Sequence, residues 1–460
     1  MSLRDFPARD YGPAVAGADY GEVFLEETTW ASVRLEDGRV RDAGAGSDRG
    51  LGLRLLTRRG ERVDTLMASG PDLTPAAAAR LRAELPVPAG LAPTFRSPQW
   101  RPAGPLIDPS QASLERKVEV LRRLDAEARA QFPGLRQATI SYGDRVKRTR
   151  VVHNEGADLA QETVSTLVRV SVVAERDGRL QTAVETVGAQ RGFELAESDE
   201  CRAAARRAAA RAREKLDAPK ARAGRMPVVL AASAGGTFIH EAIGHSLEAD
   251  AVQEGSSPAY RGARGRVVAP EFVTVIDDPT LPFQRGSFHF DDEGVPAAPT
   301  TLVGAGVLSD FLHDRVSALR EGCPANGHGR RESFDERPLP RMSNLYVAPG
   351  PDDPVAIVRG LKRGLLVTRM GGGQVNTATG EFVFEVDEGY FVEDGRVRHP
   401  VRDANLLGVG PEVLRSIAAL GWDIGWGIGT CGKEGQNVAV SDGQPTMLLP
   451  DIVVGGRHDD

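Results

Sequence analysis

The sequence predicts an α+β fold: two domains of antiparallel or mixed β-sheets with packed helices, the second carrying a helix with metal-ligand residues. Three features carry this expectation. Long stretches alternate apolar and polar residues, Asp-Gly pairs sit between them as hairpin turns, and a few Ala- and Leu-rich segments repeat their apolar residues every three or four positions. Antiparallel hairpins with helices packed on them are the α+β pattern.

Residues 18 to 70 read as strand and turn, with EVFLEETTWASVRLEDGRVRDAGAG alternating around the Asp37-Gly38 pair. Two helices follow. PDLTPAAAARLRAEL has an Asp/Thr-Pro start and a helix-favouring interior, and ERKVEVLRRLDAEARAQF repeats its apolar residues at helical spacing. Residues 136 to 193 return to alternating strands with a second Asp-Gly turn, and a helix is expected over 199 to 217. Breakers and charges cluster in DAPKARAGRMP, just before the apolar PVVLAAS. This places a boundary there, giving domains 1–218 and 219–460. The second part is richer in Gly and short strands (FVTVIDD, GSFHFDDEG, GEFVFEVDEGYFVEDGRVRH, TMLLPDIVV), with helices expected at 240–250, 353–364 and 411–419.

The bulk composition narrows the function. At 460 residues the chain exceeds one ordinary domain, and 41% hydrophobic with 26% charged residues is the balance of a globular protein. The run CRAAARRAAARAREKLDA looks basic, but a net charge of −7 is the wrong sign for a nucleic-acid binder. No stretch reaches the roughly 20 consecutive apolar residues of a membrane span. The opening MSLRDFPARDYGPAV lacks a signal peptide's apolar core, and three scattered cysteines, Cys201, Cys323 and Cys431, do not make a disulfide framework. The expectation is a cytoplasmic protein.

The chemistry concentrates in GGTFIHEAIGHSLEAD, where His240 and His245 stand five apart with Glu241 directly after the first. Two imidazoles and a carboxylate are what a metal-dependent hydrolase needs, the carboxylate taking a proton from a water and returning it to the leaving amine. The spacing is awkward. Ligands four apart lie about 40° around an α-helix, whereas five apart gives about 140°. A regular helix would aim the two rings apart, so the helix is expected to end or widen at Gly244, the residue best able to leave helical dihedrals. The same residues also read as one core and one surface histidine, with Glu241 favoured in a first helical turn by the helix dipole.

Catalytic zinc usually takes three protein ligands and a water. Cys431, in the Gly-rich GIGTCGKEGQN beside Lys433, is a candidate third donor; Cys323, in EGCPANGHG with His328 nearby, is the alternative. Glu248, three residues after His245, is a carboxylate that could orient a ligand or replace one, or simply face solvent. His289, Asp291, Asp292 and Glu293 in FHFDDEG read as a cation site or, more plainly, as turn formers. Arg330 and Arg331 suit a substrate carboxylate or a surface ion pair. His289, Arg331 and Tyr390 are the candidates for substrate contact and oxyanion donation. RMGGGQVNTATGE lacks the strand-then-helix context of a phosphate cradle, which excludes nucleotide binding.

Several segments together carry a resemblance. HEAIGHSLEAD, DDEGVP, GHGRRESF, PRMSNLYVAPG, GGGQVNTATGEFVFEVDEGY, HPVRDANLLG and GTCGKEGQNVAVSDGQP run in order through residues 219 to 456 and resemble the TldD side of the TldD/PmbA family; SVRLEDGRVRDAGAGSDRGLGLRLL is similar to its opening hairpins. The resemblance implies a cytoplasmic zinc metallopeptidase with His240, His245 and Cys431 as ligands and Glu241 as catalytic base. It also implies a TldE/PmbA-like partner subunit in a heterodimer enclosing the active site, unfolded peptides as substrates, and a role in peptide maturation. Asn376 stands where many relatives read Asp. Two other readings stay open here: a non-enzymatic regulator braced by zinc, and a peptidase specialised for one biosynthetic precursor peptide.

Overall fold

The computed structural model describes residues 2–456 apart from 61, 89, 102, 103 and 377. Strands β1 (Tyr20–Glu36), β2 (Arg39–Arg59), β3 (Arg62–Gly70), β4 (Gln99–Arg101), β5 (Leu135–His153), β6 (Ala157–Arg176) and β7 (Arg179–Ala189) form one sheet in the order β3-β2-β1-β5-β6-β4, with β7 also on β6. The hairpins follow from their turns. Asp37-Gly38 and Asp177-Gly178 take φ of 49°, 73°, 53° and 75°, and join strands that pair Glu36 with Arg39 and Arg176 with Arg179. Such two-residue loops with both φ positive match the strand twist, which is why Asp-Gly marks them in the sequence.

One face of this sheet is an inward row of Val168, Val170, Val172 and Ala174 from β6, covered by the helices Leu114–Gln131 and Asp199–Asp217. Ser113 and Ser198 cap the two helices, accepting from the backbone N–H of Arg116 and Cys201. The Arg- and Ala-rich run folds as the second helix. Its small Ala204, Ala205, Ala208, Ala209 and Ala212 face the core, and its arginines pair with Asp199, Glu127 and Glu185.

The later strands are β8 (Gly224–Leu230), β9 (Val275–Asp277), β10 (Thr300–Gly304), β11 (Val307–Leu308), β12 (Gly329–Arg330), β13 (Leu339–Pro340), β14 (Asn344–Val347), β15 (Arg363–Asn376), β16 (Glu381–Glu393), β17 (Arg396–Val401), β18 (Ala404–Val409), β19 (Ala419–Leu420), β20 (Gly425–Lys433), β21 (Gln436–Gln444) and β22 (Met447–Gly455). They build a sheet β11-β10-β9-β14-β21-β20, a second β15-β8-β22-β18-β16-β17 with β19 on β22, and the pair β12-β13. Both larger sheets are mixed, since β14–β21 and β15–β8 run parallel. The helical segment 237–247 touches strands of both and shares their hydrophobic core. Among the described residues no helix is long and apolar enough to cross a membrane.

Three local expectations are corrected. GSFHFDDEG is a turn with one isolated bridge, Phe290 to Pro296, because the Asp291 side chain accepts from the backbone of Glu293 and Val295 and folds the chain back. The helix expected at 353–364 is Pro354–Arg359, ending at Gly360 so that Arg363 can enter β15. The helix at 411–419 is Gly410–Ser416, ending at extended Ile417 before β19 pairs with β22.

The first sheet meets the later half through buried charges. Arg54 Nε donates to Glu22 Oε1 at 3.1 Å, and Arg54 also pairs with Glu293. Glu22 also accepts from Arg331 and, at 2.7 Å, from the Tyr20 hydroxyl. Burial pushes the Glu22 carboxyl up, but Arg54 and Arg331 outweigh it and hold it at about 2, against an ordinary 4.5. Removing one partner of such a cluster leaves an uncompensated buried charge. Arg54→Ala is therefore expected to lower stability by about 3–5 kcal/mol in denaturant unfolding followed by circular dichroism; an unchanged midpoint would refute it. A carboxyl depressed on folding adds stability above its ordinary pKa and loses it as pH falls toward the folded value. The thermal midpoint should thus decline between pH 4.5 and about 2, less steeply in Glu22→Gln than in the parent.

Candidate metal centre

After β8 the chain turns through Ala232–Ala234, reaches Gly235 at φ 72°, and begins a helix at Thr237–Ile239. From His240 to Gly244 this helix widens into a π turn, followed by a tight 3₁₀ turn at His245–Leu247. The His245 backbone N–H donates to the His240 carbonyl, so residues five apart stack one turn above each other. The two rings lie 5.0 Å apart between centroids, at 90°. The expected widening is present and runs to Gly244, but its cause differs from the sequence reading. Gly244 keeps helical dihedrals (φ −56°, ψ −53°), and the chain leaves the helix only at Glu248 (ψ 126°). Glycine at 244 allows a close contact: a side-chain carbon there would fall on Met342 Sδ and crowd Leu345, so Met342 would have to move to admit it.

Cys431 comes from β20, paired across the strand with Val438. Its sulfur lies 3.5 Å from His245 Nε2, and one donor atom each from His240, His245 and Cys431 lie within 4.8 Å of one another. A tetrahedral zinc with bonds of about 2.1 Å to nitrogen and 2.3 Å to sulfur separates those atoms by about 3.6 Å. The opposite ring nitrogens are held from behind. His240 Nδ1 is 2.7 Å from Asp442 Oδ1 on β21, and His245 Nδ1 is 3.1 Å from Glu248 Oε2. A carboxylate on Nδ1 fixes the tautomer that leaves Nε2 free to bind a metal. Lys433 Nζ in turn donates to Glu248 at 3.1 Å and Asp250 at 2.7 Å.

The charges suit a cation. Burial would keep both imidazoles neutral, but Asp442 raises His240 well above its ordinary value, and Glu248 with Cys431 raises His245 to about 10. Burial likewise pushes the Cys431 thiol up, yet the two histidines pull it down to about 5. Glu248 is held at about 2 against its own burial by Lys433 and His245. Two imidazoles and a thiol flanked by carboxylates suit a divalent ion, and each must give up a proton at its donor atom to bind one. Glu241 stands at the open side, its carboxylate 4.0 Å from His245 Nε2 and its side chain 28% exposed.

The other expected contacts are engaged with the protein itself. Arg331 is fully buried, its Nη2 on Glu22 and on the Asp292 carbonyl at the junction between the two halves, while its Nε and Nη1 have no hydrogen-bond partner among the described residues. Tyr390 donates to Glu388 at 2.7 Å, beside Glu214 of the Asp199–Asp217 helix. His289 is an exposed residue whose backbone N–H donates to Gln161. Arg330 donates to the carbonyls of Met342 and Ala439, and burial pushes it down to about 10. Cys323 sits beside His313, whereas His328 is held on Thr300. Asp442 was missed by sequence reasoning. It looks like one more turn residue in VSDGQP, and only its cross-strand position brings it to His240.

Two outcomes follow. Asp442→Ala should weaken divalent-metal affinity about 10- to 100-fold in competition with a chromophoric chelator. Gly244→Ala should cost about 1–3 kcal/mol in thermal or denaturant unfolding, from overpacking against Met342; equal stability would disprove the close-approach account.

Comparison with known proteins adds three findings. Residues 21–83, 107–216 and 223–456 match domain 1, the central domain and the C-terminal domain of the PmbA/TldA metallopeptidases. A Haemophilus influenzae protein named metalloprotease TldD homolog is 33% identical over 459 residues, covering 96% of this chain and 93% of that one. A Methanothermobacter thermautotrophicus metalloprotease is 31% identical over 95% of this chain and 96% of its own, and a Saccharolobus solfataricus protein named zinc metalloprotease TldD homolog is 30% identical over 74% and 76%. Among solved structures, TldE from Thermococcus kodakarensis superposes with a TM-score of 0.74 at 17% identity, over 95% of this chain and 97% of that one; at that identity the likeness speaks for the fold. Family models spanning most of the chain, and relatives above 30% identity over nearly its whole length, establish that it belongs to the PmbA/TldD metallopeptidase family.

Proposed function

We propose that the protein hydrolyses unfolded or unstructured peptides with a zinc ion held by His240, His245 and Cys431 and with Glu241 as general base. The convergence of those three donors beside a partly open carboxylate carries this reading. Zinc is the metal in the name of the Saccharolobus relative, and an imidazole-imidazole-thiolate set suits it. Three protein donors also match a catalytic site with an open position better than a structural site closed by four. This favours an enzyme over a zinc-braced regulator.

A bound zinc ion would supply Lewis acidity, polarising the scissile carbonyl and acidifying a water. The rest falls to the chain. Asp442 and Glu248 hold the two imidazoles in their ligand tautomers, and Lys433 keeps Glu248 in place. Glu241 accepts the proton of the attacking water and returns it to the leaving amine. Substrate is taken as an extended strand, because backbone hydrogen bonds bind without regard to side-chain sequence. A cavity of about 1000 Å³ lies alongside the segment that leads into the centre, lined by Gly235 and Thr237 just before the π turn and by Trp426, Gly427 and Ile428 of edge strand β20. The partner is a TldE-like chain, in keeping with the shared fold of the Thermococcus protein. Free cysteines at 201, 323 and 431 agree with a cytoplasmic setting.

The test is the chain purified with a TldE-like subunit, its metal content measured and its products from an unstructured peptide identified by mass spectrometry. Glu241→Gln should retain the parent's zinc while turnover falls about 10²- to 10⁴-fold. Full activity in that variant would overturn Glu241's role, and cleavage undiminished after complete zinc removal would overturn the metal mechanism.

A further inference from the structure

Apart from the candidate centre, the described residues bring together one other group of metal-type donors. His313 Nε2 lies 3.8 Å from Cys323 Sγ and 3.5 Å from Glu321 Oε2, and the three donor atoms are all within 4.8 Å of one another. Ligand atoms around a tetrahedral zinc are separated by about 3.4–3.6 Å, so little movement is needed to close this set on one ion.

The local chain explains why these residues meet. The helix Arg315–Glu321 ends at Gly322, in the left-handed region at φ 72°, and the Cys323 N–H donates back to the Ala318 carbonyl. That cap folds Cys323 under the last turn and toward His313, which precedes the helix. His313 is presented as a ligand. The Ser317 hydroxyl donates to the Asp314 carbonyl at 3.2 Å, so its oxygen is an acceptor toward His313 Nδ1, also at 3.2 Å. With Nδ1 on the Ser317 hydroxyl, Nε2 is the ring nitrogen that faces Cys323 and Glu321, and it is the atom a metal would take.

Charge balance points the same way. Arg264 donates to Asp310 at 2.7 Å and to Glu321 at 2.8 Å, and Asp310 also lies 4.0 Å from His313 Nε2. Two carboxylates against one guanidinium leave the cluster one charge negative. A divalent ion that displaces the Cys323 thiol proton to solvent makes the cluster neutral, forming one metal–sulfur bond for each S–H bond lost. The helix C-terminus adds a partial negative charge at the same point. Glu321 is 31% exposed and Cys323 lines a cavity of about 530 Å³, so an ion can enter.

We propose that His313, Glu321 and Cys323 form a second divalent-metal site, selective for zinc-like ions and separate from the His240, His245 and Cys431 centre. Imidazole, thiolate and carboxylate together select zinc over magnesium or calcium. This inference does not depend on the peptidase reading.

The test uses Cd²⁺, a thiolate-seeking zinc substitute, and the rate at which iodoacetamide alkylates each cysteine of the full chain, followed by peptide mass spectrometry. A few equivalents of Cd²⁺ should slow alkylation of Cys323 about tenfold or more. Glu321→Gln, at an exposed helix end where folding is not at risk, should reduce that protection while protection of Cys431 stays unchanged. His313→Asn should remove it. Cys323 reacting equally fast with and without Cd²⁺, whether or not Cys431 is protected, would overturn the proposal; protection of Cys323 that survives both substitutions would overturn this ligand set.

Discussion

The i→i+5 hydrogen bond from His245 to His240 is the constraint on which the later half of this molecule turns. It converts a five-residue spacing that a regular helix would splay by about 140° into two rings on one side of the chain. A π turn carries looser backbone geometry than an α-helix and persists only where its surroundings impose it. Here two mixed sheets do so. Gly244 lies against Met342 and Leu345 just before and within β14, and on the other side Ala242 meets Gly410, where a side-chain carbon would overlap its carbonyl. Glycine at both contacts lets the backbone come close enough for the widened turn to be clamped.

The same packing brings the carboxylates to their places. Asp442 is supplied by β21 and Glu248 by the point where the helical segment ends, so strand register and helix ending each orient one imidazole. Lys433 ties Glu248 and Asp250 to the end of β20, two residues after Cys431. The junction of Glu22, Arg54, Glu293 and Arg331 obeys the same rule at a distance from the chemistry. Charges are buried where each has an opposite neighbour, because an unpaired one would cost several kcal/mol. The arginine that looked free to bind substrate was needed there.

Much of this was legible in the amino-acid order. The hairpins at Asp37-Gly38 and Asp177-Gly178 follow from local turn chemistry, and the helices Leu114–Gln131 and Asp199–Asp217 follow from apolar spacing and serine caps. These are properties of a few neighbouring residues, so the sequence alone determined them. It also determined that His240, Glu241 and His245 must share one short segment, and the mismatch between their spacing and the helical period already required a distorted turn. Tertiary structure decided the rest. Cys431 and Asp442 stand some 190 and 200 residues from the histidines they approach, and only the pairing of β20, β21 and β14 brings them there. Gly244 looked like a residue chosen for conformational freedom, but it keeps helical dihedrals, and Met342 and Leu345 pack where its side chain would be. Arg331, Tyr390 and Cys323 carried chemistry that a sequence can name but not place, since their partners Glu22, Glu214 and His313 are set by how the sheets and helices close on one another.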